Sequence, residues 1–491
     1  MKSFETYLEK TKEIGKILSI NHSVIEVSGL PGLKLREMVI TEDEEKGLAF
    51  GLKEKTAEIL MFETENLKAG KKVTRTDEIF KIPINQNLLG RIIDPLCRPI
   101  DGLGPITGEK NFLSIEKKAP DITQRMKVRN FLETGTMIVD LLVPLGYGQR
   151  ELVIGDGKTG KTTLLLQTIL SQAKKGVVCV YVLIGKEISN VKTIEQYLKE
   201  FKILEKTILV VATPNNPATI IYLAPYSGIT IAEYFRDKGE NVLIVFDDLT
   251  THAKIYREIS LLLKRAPGRS VYPGDIFHIH ATLMERAGNI KNNQGKEVSI
   301  TALPVAETLE NDLSGYIQTN LMAMTDGHIF FDVEEFKKGR RPAINAFLSV
   351  SRVGNQTKEL IDQELARSVR KTMIDYQRAL EISQFGGELP EETKKIIDFG
   401  EKIEALFNQD PKTIISRNFQ LFLFGLLLSG FWERKDAKLM AVMNNEILTH
   451  YKNGEFSEIE EEIEKIKNIE ELKAFVKNYH PKIEQILSWQ A

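Results

Sequence analysis

ELVIGDGKTGKTTLLLQTILSQA, residues 151–173, is the stretch from which the rest of the chain can be read. ELVI has the character of a strand, TTLLLQTILSQA that of a helix, and GDGKTGKTT (155–163) joins them. The join fits G-x-x-x-x-G-K-[ST] as Gly155, Gly160, Lys161 and Thr162, in the strand–loop–helix setting that a phosphate-gripping loop requires. Its glycines let the backbone curl, so that successive N–H groups and the helix N-terminus face an anion. Gly155, Asp156, Gly157, Lys158, Thr159, Gly160, Lys161, Thr162 and Thr163 are therefore the candidate site for the phosphates of ATP or ADP. Lys161 would neutralise the outer phosphates, and the Thr162 hydroxyl would ligate Mg2+. A chance match in a Gly/Thr-rich turn is the bland alternative, and the flanking strand and helix argue against it.

Outward from the loop, the pattern from about 83 to 360 repeats the same grammar. GVVCVYVLIG, TILVVATP and NVLIVFDDLT are near-continuous apolar runs, separated by amphipathic segments such as KTIEQYLKEFKIL. Strands that read this way are buried on both faces, so the expectation is a parallel sheet covered by helices. Residues 1–82 read instead as short strands (KILSINHSVIEVSGL, GLAFGL, AEILMF, KKVTRT), which predicts a small β-barrel. Residues 361–491 turn Lys/Glu-rich and helical, as in FSEIEEEIEKIKNIEELKAFVKNY, which predicts a C-terminal α-helical domain. The expected architecture is thus multidomain α/β, with three domains at 1–82, 83–360 and 361–491.

Composition excludes several classes. The formal net charge of the 491 residues is −2, and residues 1–80 carry 13 Lys/Arg against 15 Asp/Glu, so no nucleic-acid groove is expected in the barrel. Cys97 and Cys179 stand far apart without a C-x-x-C partner, which argues against a disulfide scaffold and fits a reducing cytosol. The start, MKSFETYLEKTKEIG, lacks the features of a signal peptide. FQLFLFGLLLSGFW (419–432) is greasy but shorter than the roughly 20 residues a spanning helix needs, so it is expected as a buried core helix.

Other residues bear on chemistry. VLIVFDD ends an apolar run in Asp247 and Asp248; Asp247, at the strand's C-terminal end, is the candidate carboxylate for Mg2+, with helix capping as the alternative for the pair. Hydrolysis also needs a group that orients the attacking water. Glu187, Glu233 and Glu258 are all open by pattern, so the residues establish nucleotide binding and leave turnover undecided. His278 and His280, in FHIH, have the spacing that puts two imidazoles on one strand face, and with no third ligand nearby they are expected to be structural.

RELVIGDGKTGKTT, YLAPYSG, AEYFRD, VFDDLT, LLLKRAPGRSVYPGD, TALPVAET and GRRPAINAFLSVSRVG follow one another in order, preceded by GKILSI, VIEVSGL and LLGRIIDPLCRPIDGLGPI. Together they resemble the alpha subunits of F-type ATP synthases over most of the chain. The resemblance implies a β-barrel, a central RecA-like P-loop nucleotide-binding domain and a C-terminal α-helical domain, set in a ring that alternates with catalytic beta subunits around a gamma shaft. It implies a MgATP that is held without turnover, and an arginine, Arg352 of SVSRVG, reaching into beta's site. Such a finger is worth on the order of a thousandfold or more in rate. It further implies that Phe336, Arg341 and Pro342 lie near the base and ribose, and that RAPGRSVYPGD resembles the collar of the shaft. The implied location is peripheral, at the cytoplasmic face of a bacterial cell membrane, held there by partner subunits.

Departures from the family pattern sharpen these expectations. Gly157 and Lys158 replace the usual Arg-Gln of GDRQTGKT. Lys186 follows Gly185 where alpha subunits usually read G-Q-K and catalytic beta subunits carry the water-polarising Glu. A protonated lysine can hold phosphate but cannot act as a base, and strand alternation would send Glu187 the other way. The adenine-contacting Gln pair falls near Asn408 and Asp410, and the segment before the barrel is short for standard peripheral-stalk docking, which points to a stalk or a divergent stator. The competing readings are a homohexameric translocase of the same core type and an alpha-like ring subunit of a motor not coupled to proton flow.

Overall fold

The computed structural model describes residues 3–292, 294–383 and 390–488. A short helix, α1 (Phe4–Thr11), is capped by the Ser3 side chain accepting from Thr6 N. It leads into a closed six-stranded barrel in the order β1-β2-β5-β4-β3-β6. These strands are β1 (Gly15–Asn21), β2 (Val24–Ser28), β3 (Glu37–Thr41), β4 (Lys46–Leu52), β5 (Thr56–Met61) and β6 (Lys72–Ile79). Ile17, Ile25, Val27, Val39, Ala49, Ile59 and Val73 fill one core cluster there. Every residue of β3 is buried, so it lacks the polar alternation that marks a strand in sequence, and neither it nor α1 was expected.

Three small strands follow, β7 (Lys81–Ile84), β8 (Ile92–Ile93) and β9 (Asn111–Ser114), then a paired β10 (Phe131–Leu132) and β11 (Leu145–Gly146) around α2 (Met137–Leu142). The central sheet is built on β12 (Glu151–Asp156), β13 (Val178–Ile184), β14 (Thr207–Ala212), β15 (Val242–Asp247), β16 (Gly288–Lys291), β17 (Glu297–Thr308), β18 (Gly327–Phe331) and β19 (Val350–Ser351). Its order is β19-β18-β12-β17-β15-β13-β14-β8, with β16 on the side of β17. The strands from β18 to β8 run parallel, while β19 and β16 are antiparallel to their neighbours. β12, β13, β14 and β15 are buried almost throughout, as their unbroken apolar runs require. Covering helices are α3 (Lys161–Lys174), α4 (Ile188–Glu200), α5 (Ala218–Asp237), α6 (Leu249–Leu262), α7 (Ile276–Glu285), α8 (Tyr316–Met324) and α9 (Val333–Lys337).

The last part is helical: α10 (Leu360–Ser383), α11 (Glu391–Phe407), α12 (Arg417–Leu428), α13 (Ala437–Lys452), α14 (Ser457–Ile463), α15 (Ile469–Lys477) and α16 (His480–Ser488). The greasy stretch is α12, capped by Ser416 and buried from Phe419 to Leu427. A Cβ on Gly425 would stand 2.6 Å from Val476 Cγ2, so the glycine sets how closely α12 and α15 approach. Among the described residues no helix is long and apolar enough to cross a membrane. We propose to keep the domain limits at 82 and 360, with β7 crossing the first and α10 beginning at Leu360 beside the second.

Candidate functional site

Parallel pairing brings the C-terminal ends of β12, β17, β15 and β13 to one edge of the sheet. Gly155 pairs with Glu307 and Phe331, and Leu183 with Asp247. The loop after β12 therefore opens between the strands that carry Glu307 and Asp247, where ligands bind in open α/β sheets. Gly155 has φ +154, and a Cβ there would meet Phe331 O at 2.4 Å, so the close approach of β18 admits no side chain. Lys158 sits at the exposed turn with φ +64, while Gly157 faces open space. Thr159 is buried and closes the turn by donating to Asp156 O at 2.8 Å.

Lys161 opens α3 and is 7% exposed. Its Nζ donates to Gly155 O at 2.7 Å and Asp156 O at 2.6 Å. Burial lowers its pKa, opposed by the nearby charges of Glu307 and Asp247. Thr162 is exposed at the first turn of α3 and Thr163 half-buried behind it. The helix N-terminus, the curled loop and the Lys161 ammonium thus form an anion cradle. The Asp156 carboxylate accepts from Thr308 Oγ1 and from Asn311 N (3.0 Å), and Asn311 Nδ2 donates to Asp332 at 2.9 Å. This chain of bonds ties the loop to α9, hence to the predicted base side.

There, the Arg341 guanidinium lies 3.7 Å from the centroid of the Phe336 ring and donates to Phe336 O at 3.0 Å. Arg341 N donates to Asn408 Oδ1 at 3.0 Å, and Gln409 N to Arg341 O at 2.7 Å, so Phe336, Arg341, Pro342 and Asn408 share one locality. Between the two residues expected at the adenine, Gln409 is buried and spends its side chain on Met137 N, Gly135 O and Thr413 O. Gln167 of α3 donates to Asp410 O and Thr413 O, joining this loop to the phosphate helix.

The acid pair after β15 divides into two roles. Asp248 caps α6, accepting from Thr251 N at 2.6 Å. Asp247 Oδ2 accepts from Tyr181 OH at 3.0 Å, and its Oδ1 stands 2.9 Å from Lys186 Nζ. The same ammonium lies 2.9 Å from Asp248 Oδ2. Burial works against the Lys186 charge, but Asp247 and Asp248 outweigh it and hold the lysine protonated well above its ordinary range. For a metal ion the donors are thus an exposed Thr162 hydroxyl and a carboxylate already engaged by an ammonium.

Three expectations change. β13 ends at Ile184 and Glu187 is the exposed residue that begins α4, so strand alternation does not govern it. Glu233 is buried against Arg286 (2.8–2.9 Å), and Glu258 is exposed well along α6. His278 and His280 lie on helix α7, not on a strand, so a spacing of two separates them: His278 is exposed and His280 buried. His280 Nε2 meets His252 Nδ1 at 3.0 Å, and burial lowers the pKa of both, that of His252 to about 4. Glu307 was missed; its signal was the same as that of Asp247, an acid closing an apolar run (SITALPVAE).

Arg352 lies elsewhere. β19 runs antiparallel to β18 and ends opposite Gly327, so Arg352, whose N donates to Asp326 O at 3.0 Å, is level with Arg150. Gly155 is five residues up β12, about 16 Å away along the strand direction. Arg352 is exposed. Its seat is built: Gln149 Nε2 donates to Glu151 (2.7 Å) and Ser351 Oγ (3.0 Å), Ser351 Oγ donates to Pro144 O (2.6 Å), and Arg150 pairs with Asp326. Burial raises the Glu151 carboxyl well above the usual range.

A phosphate cradle on a parallel sheet, tied to an aromatic–arginine locality, defines a P-loop nucleotide-binding protein. Residues 135–351 match the family model for the ATP synthase alpha/beta family, nucleotide-binding domain, and residues 356–480 that for the ATP synthase alpha/beta chain, C terminal domain. Proteins named ATP synthase subunit alpha are similar along most of their length. That of Acholeplasma laidlawii (strain PG-8A) is 40% identical over 89% of this chain and 87% of its own. That of Dictyoglomus turgidum (strain DSM 6724 / Z-1310) is 42% identical over 86% and 83%, and that of Buchnera aphidicola subsp. Acyrthosiphon pisum (strain Tuc7) 38% over 94% and 92%. The chain belongs to the ATP synthase alpha/beta family, on its alpha-subunit side.

Proposed function

We propose that this chain is a nucleotide-holding, non-catalytic subunit of a rotary F-type ATP synthase or ATPase. It holds ATP or ADP through Gly155 to Thr163 and lends Arg352 to the catalytic site of an adjacent beta subunit. The ring alternates with beta subunits around a gamma shaft and meets a peripheral stalk or divergent stator. The complex keeps this chain peripheral at the cytoplasmic face of a bacterial cell membrane, and no nucleic acid is involved.

The observation that carries this reading is the distance between the two cationic features on one sheet. A finger about 16 Å below its own phosphate loop and exposed to solvent is useful to a neighbour, not to itself. Within the chain, Lys161 would turn its protons from two carbonyls to the phosphate oxygens, while Phe336, Arg341 and Pro342 flank the base and ribose. Mg2+, when bound, would add charge neutralisation at the phosphates, and Thr162 and Asp247 are the residues that would hold it. Lys186 is an ammonium where a catalytic site needs a base, and Glu233 is tied to Arg286.

The test is turnover with and without partners. The purified chain should show negligible ATPase activity, and reconstitution with beta and gamma subunits should restore it. Arg352→Ala should remove most of the assembled activity with the ring intact. Enzyme-like turnover by the chain alone would overturn the assignment.

A further inference from the structure

We propose that Lys186 is a built-in cation of the nucleotide site, so that this chain binds ATP or ADP almost equally well with Mg2+ present or chelated. The inference rests on the nucleotide reading above and concerns how the same site balances charge.

Lys186 follows the end of β13 by two residues, beside β15 and two strands from β17, which pairs with the strand carrying the phosphate loop. Its Nζ is 2.9 Å from an oxygen of Asp247 and 2.9 Å from an oxygen of Asp248. The remaining oxygens are also served. Tyr181 OH donates to Asp247 Oδ2 at 3.0 Å, Thr251 N donates to Asp248 Oδ1 at 2.6 Å, and Thr251 Oγ1 to Asp248 Oδ2 at 3.1 Å. All four carboxylate oxygens therefore have donors from the chain.

Mg2+ demands near-octahedral oxygen ligands and gives up its waters reluctantly. To use Asp247 directly it would have to displace an ammonium from a pair whose carboxylates are 7% and 1% exposed and whose lysine is 19% exposed. Leaving two adjacent carboxylates and an ammonium buried without partners is costly, so the pair resists opening. Uncompensated, Asp247 and Asp248 would present two negative charges to a polyphosphate. With Lys186 in place they present one, and the cradle keeps Lys161 and the exposed Lys158 for the phosphates. The lysine thus does two parts of the metal's work, neutralising the acidic strand end and adding positive potential at the same sheet edge as the phosphate loop.

Competition of ATP and of ADP against a fluorescent nucleotide, in Mg2+ and in excess chelator, tests this on the full chain. The wild-type ratio of the two dissociation constants should stay within about threefold, whereas Lys186→Gln should depend on Mg2+ by about tenfold or more. Lys186→Arg, which keeps the charge, should behave as wild type. Mn2+ alone, followed by its electron paramagnetic resonance signal, should bind Lys186→Gln more tightly than wild type. Wild-type binding that collapses in chelator, or an unchanged ratio in folded Lys186→Gln, would overturn the proposal and leave an ordinary structural ion pair. Should Lys186→Gln not fold, the wild-type ratio decides alone. Failure of wild type to bind nucleotide in either medium would overturn the nucleotide reading itself, and this proposal with it.

Discussion

At the Gly155 end of β12, Lys161 and Lys186 are folded into the molecule, each satisfied by oxygens of the chain, whereas at the Glu151 end Arg352 stands exposed just past an edge strand. The backbone beneath each end is equally well braced. Asp156 ties the loop to Asn311 and Thr308, and Gln149, Ser351 and Asp326 tie down the segment carrying Arg352. What differs is the direction in which the charge is offered. On the proposed reading, one end surrounds an anion and the other presents a cation to a neighbouring subunit, so a single sheet serves both.

That division can be broken. Arg352→Ala should cost on the order of a thousandfold in ATPase rate of the assembled ring, as for arginine fingers generally, and leave nucleotide affinity of the isolated chain within about twofold. Titration calorimetry of the isolated variant checks the second half, and a large loss of affinity there would mean the two ends are coupled.

Lys161→Ala should act the other way round. Removing a buried, hydrogen-bonded ammonium should weaken ATP binding by the isolated chain about a hundredfold, which equilibrium dialysis would measure. The fold should survive, since the lysine ties only two carbonyls of its own loop.

A stability control lies at the His252–His280 pair, one turn along α6 from Asp248. Buried neutral histidines with lowered pKa values keep their contribution above the unfolded value near 6.5 and lose it as pH falls through the folded value. For His252, lowered to about 4 by burial, the loss between pH 6.5 and 4 is about 3 kcal/mol. Denaturant melts across that window should show the decline, and His252→Asn should flatten it. A similar decline in nucleotide affinity after correction for unfolding would tie this pair to the site.

The smallest effect is expected at the base side. Phe336→Leu removes the aromatic face under Arg341 and should weaken ATP by about threefold. The same change should leave inorganic triphosphate binding unaltered, since the phosphates are held by the loop.

The strand–loop–helix around Lys161 was legible because its information is local: strand, loop, lysine and helix lie within 151–173. The parallel sheet was legible because burial on both faces leaves unbroken apolar runs. The same physics hid β3, whose five buried residues carry no alternation, and it hid Glu307, which lies far along the chain and reaches the loop only through the pairing of β17 with β12. The histidine spacing misled because a period of two has opposite meanings on a strand and on a helix. Lys186 could be recognised as an unsuitable base from its type alone, but its partners Asp247 and Asp248 lie more than sixty residues away and meet it only through strand order. Arg352 had no intrinsic signal at all. Its role comes from the family resemblance, and its distance from the loop from the register of β18 and β19.

The most direct measurement is the fate of ATP bound to the isolated chain. Radiolabelled ATP, loaded onto purified protein and freed of excess by gel filtration, should be recovered as ATP after hours of incubation, because on the proposed reading this chain holds ATP without turning it over. Recovery as ADP and phosphate at the rate of an enzyme, abolished by Lys161→Ala, would contradict the account.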